Sequence, residues 1–150
     1  MLDGQAACGV DGLARRAAAF RKTREAHQTE VAEDYVELIG DLIAGTGEAR
    51  LTDIAGAMGV AQASASKVVA RLKREGLVDS RPYRSIFLTP AGAAMAVESR
   101  RRHRMVHDFL LALGLDETTA ANDSEGIEHH CSEATLAALA ALTAKLRGRA

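Results

Sequence analysis

Residues 51–78 read LTDIAGAMGVAQASASKVVARLKREGLV. Thr52 can cap a short helix over Asp53 to Met58, Gly59 supplies a turn, and the spacing predicts a further helix from about Ala63 to Glu75 that Gly76 ends. The β-favouring residues Val78, Ile86, Phe87 and Leu88 then flank a polar turn containing Pro82, Arg84 and Ser85, which predicts a two-stranded hairpin. Helix, tight turn, helix and hairpin make a winged helix-turn-helix. In such a unit the second helix lies in the major groove and its early residues reach base edges. Gln62, Ser64, Ser66 and Lys67 fill that half, while Val68, Val69 and Leu72 are spaced to pack. Gln and Ser can exchange hydrogen bonds with bases, and Lys67, Arg71, Lys73 and Arg74 can neutralise phosphates. Arg81, Tyr83 and Arg84 at the hairpin turn would extend the footprint.

Upstream, Val31, Tyr35, Leu38, Ile39 and Leu42 recur at helical spacing from about Thr29 until Gly45 and Gly47 interrupt them. Residues 1–28 mix Gly, Ala, Arg and Lys without a sustained apolar period and are expected to form a mobile arm, with nascent helix near Leu13 to Arg24. Downstream, Thr89-Pro90 is a helix start, with Thr as cap and Pro at the first helical position, and that helix runs past Arg104 to about Leu113. A short helix from about Glu117 carries Glu125 to His130, and Ser132 caps a last one over Glu133 to Leu146. The expected architecture is mainly α: an arm over 1–28, a winged helix-turn-helix domain over 29–98, and an all-helical domain over 99–150.

The chain has 150 residues and a formal net charge of −1, which excludes a multidomain enzyme and offers no strongly basic whole-chain balance. The charge is unevenly spread. Residues 50–104 hold 11 Lys+Arg against 4 Asp+Glu, and residues 105–150 hold 3 against 7, so a basic middle suited to a polyanion adjoins an acidic end suited to a cation. A helix–hairpin unit whose cations face only water is the bland alternative for the middle, and an exposed helix face is the reading for Arg100, Arg101, Arg102 and Arg104. Cys8 and Cys131 form neither a disulfide framework nor a Cys-x-x-Cys pair, so a reducing, cytoplasmic setting is expected. No apolar run approaches membrane-spanning length and no export signal is evident, so no membrane association is expected.

The acidic end suggests a metal. Asp34 and Glu37 lie three apart on one helix face, a pair that is usually only solvated. Glu125, Glu128 and His129 bring two carboxylates and an imidazole to one helical face, where they would repel one another without a cation. Oxygen donors with imidazole and no sulfur suit Mn²⁺ or Fe²⁺. His103 in the preceding helix is an additional candidate, His130 is a packing neighbour, Cys131 is a small buried residue, and His107 and His27 have no role. A small dinuclear metallohydrolase could use such ligands, yet no spare acid or base accompanies them. An organic effector finds little support in 3% aromatic content, so no organic substrate is expected.

Five stretches together carry a resemblance: EDYVEL at 33–38, LTDIAGAMGV at 51–60, YRSIFLTPAG at 83–92, RRHRMVHDFLLALG at 101–114 and SEGIEHHCSE at 124–133. From about Thr29 to Leu146 the sequence resembles the manganese transport regulator branch of the diphtheria toxin repressor family. The resemblance implies a cytosolic homodimer that binds a palindromic operator when metal-loaded and represses manganese uptake genes. It places the metal positions on Asp34, Glu37, His103, Glu125, Glu128 and His129, with two Mn²⁺ per subunit and Fe²⁺ as the alternative. The iron-responding branch carries Met and Cys where this sequence has Asp34 and Glu125, which favours manganese over an iron-responsive regulator of the same fold. The arm is longer than usual in the family, and Ala63 stands where many relatives have Pro, which bears on operator sequence.

Overall fold

In the computed structural model, residues 10–80 and 85–148 are described; Cys8, Arg81, Pro82, Tyr83 and Arg84 lie outside them. The chain opens with α1, Val10–Thr46, a single helix of 37 residues. The apolar period predicts a start near Thr29, and the helix in fact begins almost twenty residues earlier. The segment preceding Thr29 is rich in Ala and Arg, both good helix formers, and extending a helix already nucleated by packing costs far less than starting one. Only from Ala32 onward does α1 bury a face, with Ala32, Tyr35, Val36 and Ile39 turned inward.

The next four elements are α2, Leu51–Met58; α3, Gln62–Arg74; and the strands β1, Val78–Ser80, and β2, Ile86–Leu88. Arg50, rather than Thr52, occupies the N-cap of α2, and it makes no side-chain capping bond. Gly59 has φ of 67°, a left-handed conformation that only Gly adopts without penalty, and this lets Val60 N–H close back on the Ala55 carbonyl. The strands pair antiparallel with Val78 opposite Leu88 and Ser80 opposite Ile86, and Ile86 N–H also reaches Ala49 O at 2.8 Å, tying the hairpin to the end of α1.

Thr89 then starts α4, Pro90–Ala112. Its Oγ1 accepts from Gly92 N–H at 3.1 Å and donates to Gly76 O at 2.6 Å, so one hydroxyl both caps α4 and locks it to the exit of α3. Gly92 is buried against the Leu77 carbonyl so closely that a Cβ there would sit 2.0 Å from the oxygen. Two further helices, α5, Glu117–Ile127, and α6, Glu133–Arg147, flank a 3₁₀ turn over Glu128–His130. Ser132 caps α6 by accepting from Thr135 N–H.

Two apolar cores result. Val36, Ile39, Ile54, Leu72, Val78 and Ile86 form the first, under the helix-turn-helix and hairpin; Val106, Leu110, Ala120 and Leu136 form the second, among α4, α5 and α6. Each fully buried aliphatic side chain contributes about 1.5–3 kcal/mol of transfer free energy. Helix α4 serves both, giving Met95 and Ala96 to the first core and Val106 and Leu110 to the second. The fold is thus mainly α, a winged helix-turn-helix followed by an all-helical unit, as its sequence pattern predicts.

Candidate metal centre and nucleic-acid interface

Four segments converge between the two cores. Helix α1 presents Glu33, Asp34 and Glu37; α4 presents His103; α5 presents Glu125; and the 3₁₀ turn presents Glu128 and His129. The last three were expected on one regular helix face. Tightening the backbone after Ile127 instead turns Glu128 and His129 inward, where their side chains are 3% and 2% exposed, while Glu125 stays at the rim. His103 Nδ1 lies 2.7 Å from Glu128 Oε2 and 3.6 Å from Glu125 Oε1. His129 Nε2 lies 3.4 Å from Asp34 Oδ1 and 3.5 Å from Glu128 Oε1. Glu37 completes the rim, with Arg100 Nε 3.9 Å from its carboxylate.

Crowding carboxylates in a partly dry site shifts their proton equilibria. Burial pushes the Glu128 carboxyl up to about 8, with Glu125, Glu37 and Glu33 adding to the rise and His129 opposing it. Burial also raises the Glu37 carboxyl, and the Asp34 and Glu125 charges raise it further against the pull of Arg100. For His129 burial alone would disfavour the charged ring, but hydrogen bonds to Asp34 and Glu33 outweigh it and lift the imidazolium to about 10.

This donor set fits a divalent cation. Glu128 Oε2 is buried and 2.7 Å from His103 Nδ1, yet no donor is aligned with it well enough to make a hydrogen bond, so a buried carboxyl oxygen is left with acceptor capacity that a cation would use. One ligand atom from each of His103, Glu125 and Glu128 falls within 4.8 Å of the others. All the converging donors are carboxylate oxygens or imidazole nitrogens, the set that suits Mn²⁺ and Fe²⁺. Cys131 is half-buried beside His130 in a separate surface groove, and His130 is exposed, 3.5 Å from Glu30 on α1.

Two residues of this site escaped the sequence reading. Glu33, 6% exposed, accepts from His129 Nδ1–H at 2.6 Å, which leaves Nε2 as the ring atom facing Asp34 and Glu128. A ligating imidazole is commonly oriented in this way by a carboxylate on its other nitrogen. Arg102 reaches Glu33 at 3.4 Å and donates to the Glu128 and Cys131 carbonyls at 2.7 and 3.1 Å. It therefore braces the turn against α1 and cannot belong to an exposed cationic face. Its neighbours are likewise engaged, Arg100 with Asp41 and Arg101 with Glu98 and Glu133; Arg104 alone of the four is exposed as expected. Glu33 lies within EDYVEL, but spacing alone gives it no priority over Asp34 or Glu37.

On α3, Ala65, Val69 and Leu72 pack inward, with Val68 half-buried, and Gln62, Ser64, Ser66, Lys67 and Arg74 are exposed. The other two α3 cations named for phosphates turn back on the protein. Arg71 is half-buried, donating to Gln28 O at 3.2 Å with Glu75 3.4 Å away, and Lys73 holds Ser80 O and Asp79 on the hairpin. Tyr83 and Arg84 fall outside the described residues.

Comparison with known proteins agrees with this organisation. Residues 27–86 match the family of iron-dependent repressor N-terminal DNA-binding domains, and residues 89–148 match that of iron-dependent repressor metal-binding and dimerisation domains. The transcriptional regulator MntR of Escherichia coli O6:H1 is 49% identical over 126 residues, which span 84% of this chain and 81% of that protein. The HTH-type transcriptional regulator MntR of Lysinibacillus sphaericus is 42% identical over 100 residues, 67% of this chain and 72% of that one. Among solved structures, a manganese-dependent transcriptional repressor in complex with manganese superposes with a TM-score of 0.64 at 28% identity over 75% of this chain. The match spans about half of that solved protein, 52% of its length.

Proposed function

The chain belongs to the iron-dependent repressor family, metal-dependent DNA-binding regulators rather than enzymes, and on that premise we propose that it is a manganese-activated repressor of manganese uptake genes. In this reading it acts in the cytoplasm as a homodimer on a palindromic operator. Among the described residues no helix is long and apolar enough to cross a membrane.

The observation that carries the proposal is the meeting of α1, which also supports the helix-turn-helix, with the His103–Glu125–Glu128–His129 cluster of the helical unit. Asp34, Glu37, His103, Glu125, Glu128 and His129 would hold two ions per subunit. Bound Mn²⁺ supplies the positive charge that four crowded carboxylates lack. Glu33 keeps the His129 ring turned so that Nε2 faces the site, and His129 gives up its Nε2 proton on loading. Asp34 and Glu37 then fix α1, and with it α2 and α3, against the helical unit. In a dimer this sets the two α3 helices near the one-turn spacing of operator half-sites, about 34–36 Å. Gln62, Ser64 and Ser66 face base edges, Lys67 and Arg74 face phosphates, and Tyr83 and Arg84 belong to the wing contact; Arg71 contributes by holding α3 to α1. Coupling is reciprocal, so operator DNA raises metal affinity by the factor that metal raises DNA affinity. Since Mn²⁺ stands low in the Irving–Williams order, the oxygen-rich ligand set and metal availability supply selectivity.

The test is fluorescence anisotropy on a duplex selected from random-sequence DNA in Mn²⁺. Binding at least tenfold tighter in Mn²⁺ than in chelator is expected, with the difference abolished in Glu128→Ala and His129→Ala variants that remain dimeric by light scattering. Equal affinity in Mn²⁺ and in chelator refutes the proposal, and a stronger response to anaerobic Fe²⁺ converts it to an iron-responsive regulator.

A further inference from the structure

Residues 10–28 form the first half of α1, and the part ahead of Glu25, which with Gln28 lines a groove against Arg71, is about 22 Å long at 1.5 Å per residue. They carry Arg15, Arg16, Arg21, Lys22 and Arg24 against Asp11 and Glu25, and all five cations are exposed. Among the described residues, no hydrogen bond or ion pair joins residues 10–24 to another element; those they make, Arg15 to Asp11 O and Thr23 to Ala19 O, stay within the helix. The arginines of α4 show the contrast, since Arg100, Arg101 and Arg102 each meet a carboxylate. The extension is thus an unneutralised cationic rod.

Its position relates it to α3. Gln28 accepts from Arg71 through its backbone carbonyl, and Arg71 lies one turn after Lys67 on the same face of α3. Glu25 and Gln28 share a groove with Arg71 and Glu75 of α3, and Arg24 and Arg21 precede Gln28 by four and seven residues, so they continue along that side of α1. The cationic side of the extension therefore begins at the margin of the surface assigned to DNA. Val10, Leu13 and Phe20 are the exposed large apolar side chains of the extension; they are outnumbered by its five cations, and a rod carrying that charge fits a polyanion better than a second copy bearing the same positive charge.

We propose that the α1 extension is a second DNA-contacting element, whose Arg21 and Arg24, assisted by Arg15, Arg16 and Lys22, bind backbone phosphates flanking the half-site read by α3. The inference rests on the repressor reading above. Such contacts carry no sequence information; they lengthen the footprint and steepen the salt dependence.

The experiment uses the full chain in Mn²⁺ and compares wild type with R21Q/R24Q and with a variant in which all five cations become Gln. DNA affinity is measured across a KCl series on the selected duplex, once with long flanks and once trimmed to the half-sites. Each lost phosphate contact lowers the log–log salt slope by about 0.9, so R21Q/R24Q in a dimer is expected to lower it by about 3.6 on the long duplex and far less on the trimmed one. The R21K/R24K variant keeps the wild-type slope, and Mn²⁺ affinity without DNA is unchanged throughout. An unchanged slope in both Gln variants overturns the proposal, as does a shift in oligomeric state, which makes the extension a protein contact. A wild type that binds no duplex in Mn²⁺ overturns the repressor reading itself.

Discussion

Replacing Glu33 tests whether a residue that touches no candidate ion governs how tightly one is held. Its carboxylate is 6% exposed and accepts a 2.6 Å bond from His129 Nδ1–H. Arg102 is its other partner at 3.4 Å. Glu33→Gln keeps an oxygen in reach of Nδ1 but removes the charge, and a charge-assisted hydrogen bond is roughly twice as strong as a neutral one. Glu33→Ala removes the acceptor altogether and frees the ring to rotate. Loss of an outer carboxylate on a ligating His typically weakens metal binding about 10–100-fold, or about 1.4–2.8 kcal/mol at 1.4 kcal/mol per decade. Glu33→Gln is expected near the lower figure and Glu33→Ala near the upper. Arg102 retains its bonds to the Glu128 and Cys131 carbonyls in either variant, so the turn stays braced. The assay is Mn²⁺ titration against a competing fluorescent chelator, with thermal unfolding by circular dichroism to verify the fold. The Mn²⁺ midpoint for DNA binding should move by the same factor, since the two equilibria are linked. A folded Glu33→Ala protein whose Mn²⁺ affinity stays within twofold of wild type would refute the reasoning.

Three other outcomes follow from the geometry. Lys67→Ala, at an exposed position on α3, should lower the salt slope of DNA binding by about 1.8 in a dimer, at about 0.9 per phosphate, and leave Mn²⁺ uptake unchanged; lost uptake would mean that α3 and the metal site are not separable. In the metal-free chain Glu128 titrates near 8 and His129 near 10, above their ordinary 4.5 and 6.5. The stability from holding those protons is complete below the ordinary values and disappears as pH rises through the raised ones. Urea unfolding of metal-free protein should therefore show declining stability from about pH 6 to 9, while Mn²⁺ affinity climbs over the same interval because the ion displaces those protons; a flat affinity profile contradicts this. Gly92→Ala places a methyl 2.0 Å from Leu77 O, and overpacking against backbone should cost about 3 kcal/mol or more in urea denaturation, with wild-type stability the contrary result.

The elements legible in the sequence were those marked by local chemistry. Thr89-Pro90 announced α4 because a capping hydroxyl and a preset φ act within one turn, and Gly59 announced the turn of the helix-turn-helix for the same reason. The start of α1 was illegible because residues 10–28 lack the apolar period that tertiary packing imprints, although their composition favours helix. In the candidate site, the six residues that the resemblance implied lie in one region; residue type and spacing alone marked only Glu125, Glu128 and His129, because the approach of Asp34, Glu37 and His103 to them is settled by packing between distant segments. Arg102 was misjudged because its burial depends on Glu33, 69 positions away. Arg71 likewise meets a partner that its spacing on α3 does not reveal, the Gln28 carbonyl. No helical periodicity distinguishes which arginine of an Arg-rich stretch turns inward; only the packed partner does.

The undivided α1 has a consequence for how this protein can be taken apart. Any cut between Thr46 and Pro90 leaves Asp34 and Glu37 on one fragment and His103, Glu125, Glu128 and His129 on the other. On the proposed metal reading neither fragment is then a sensor, and the helical half would need a matching pair of acids on the recipient's own helix to be grafted onto a foreign DNA-binding module. Exchange of parts by recombination would break the response at the first step. The two halves are bound to change together, residue against residue, along that one helix.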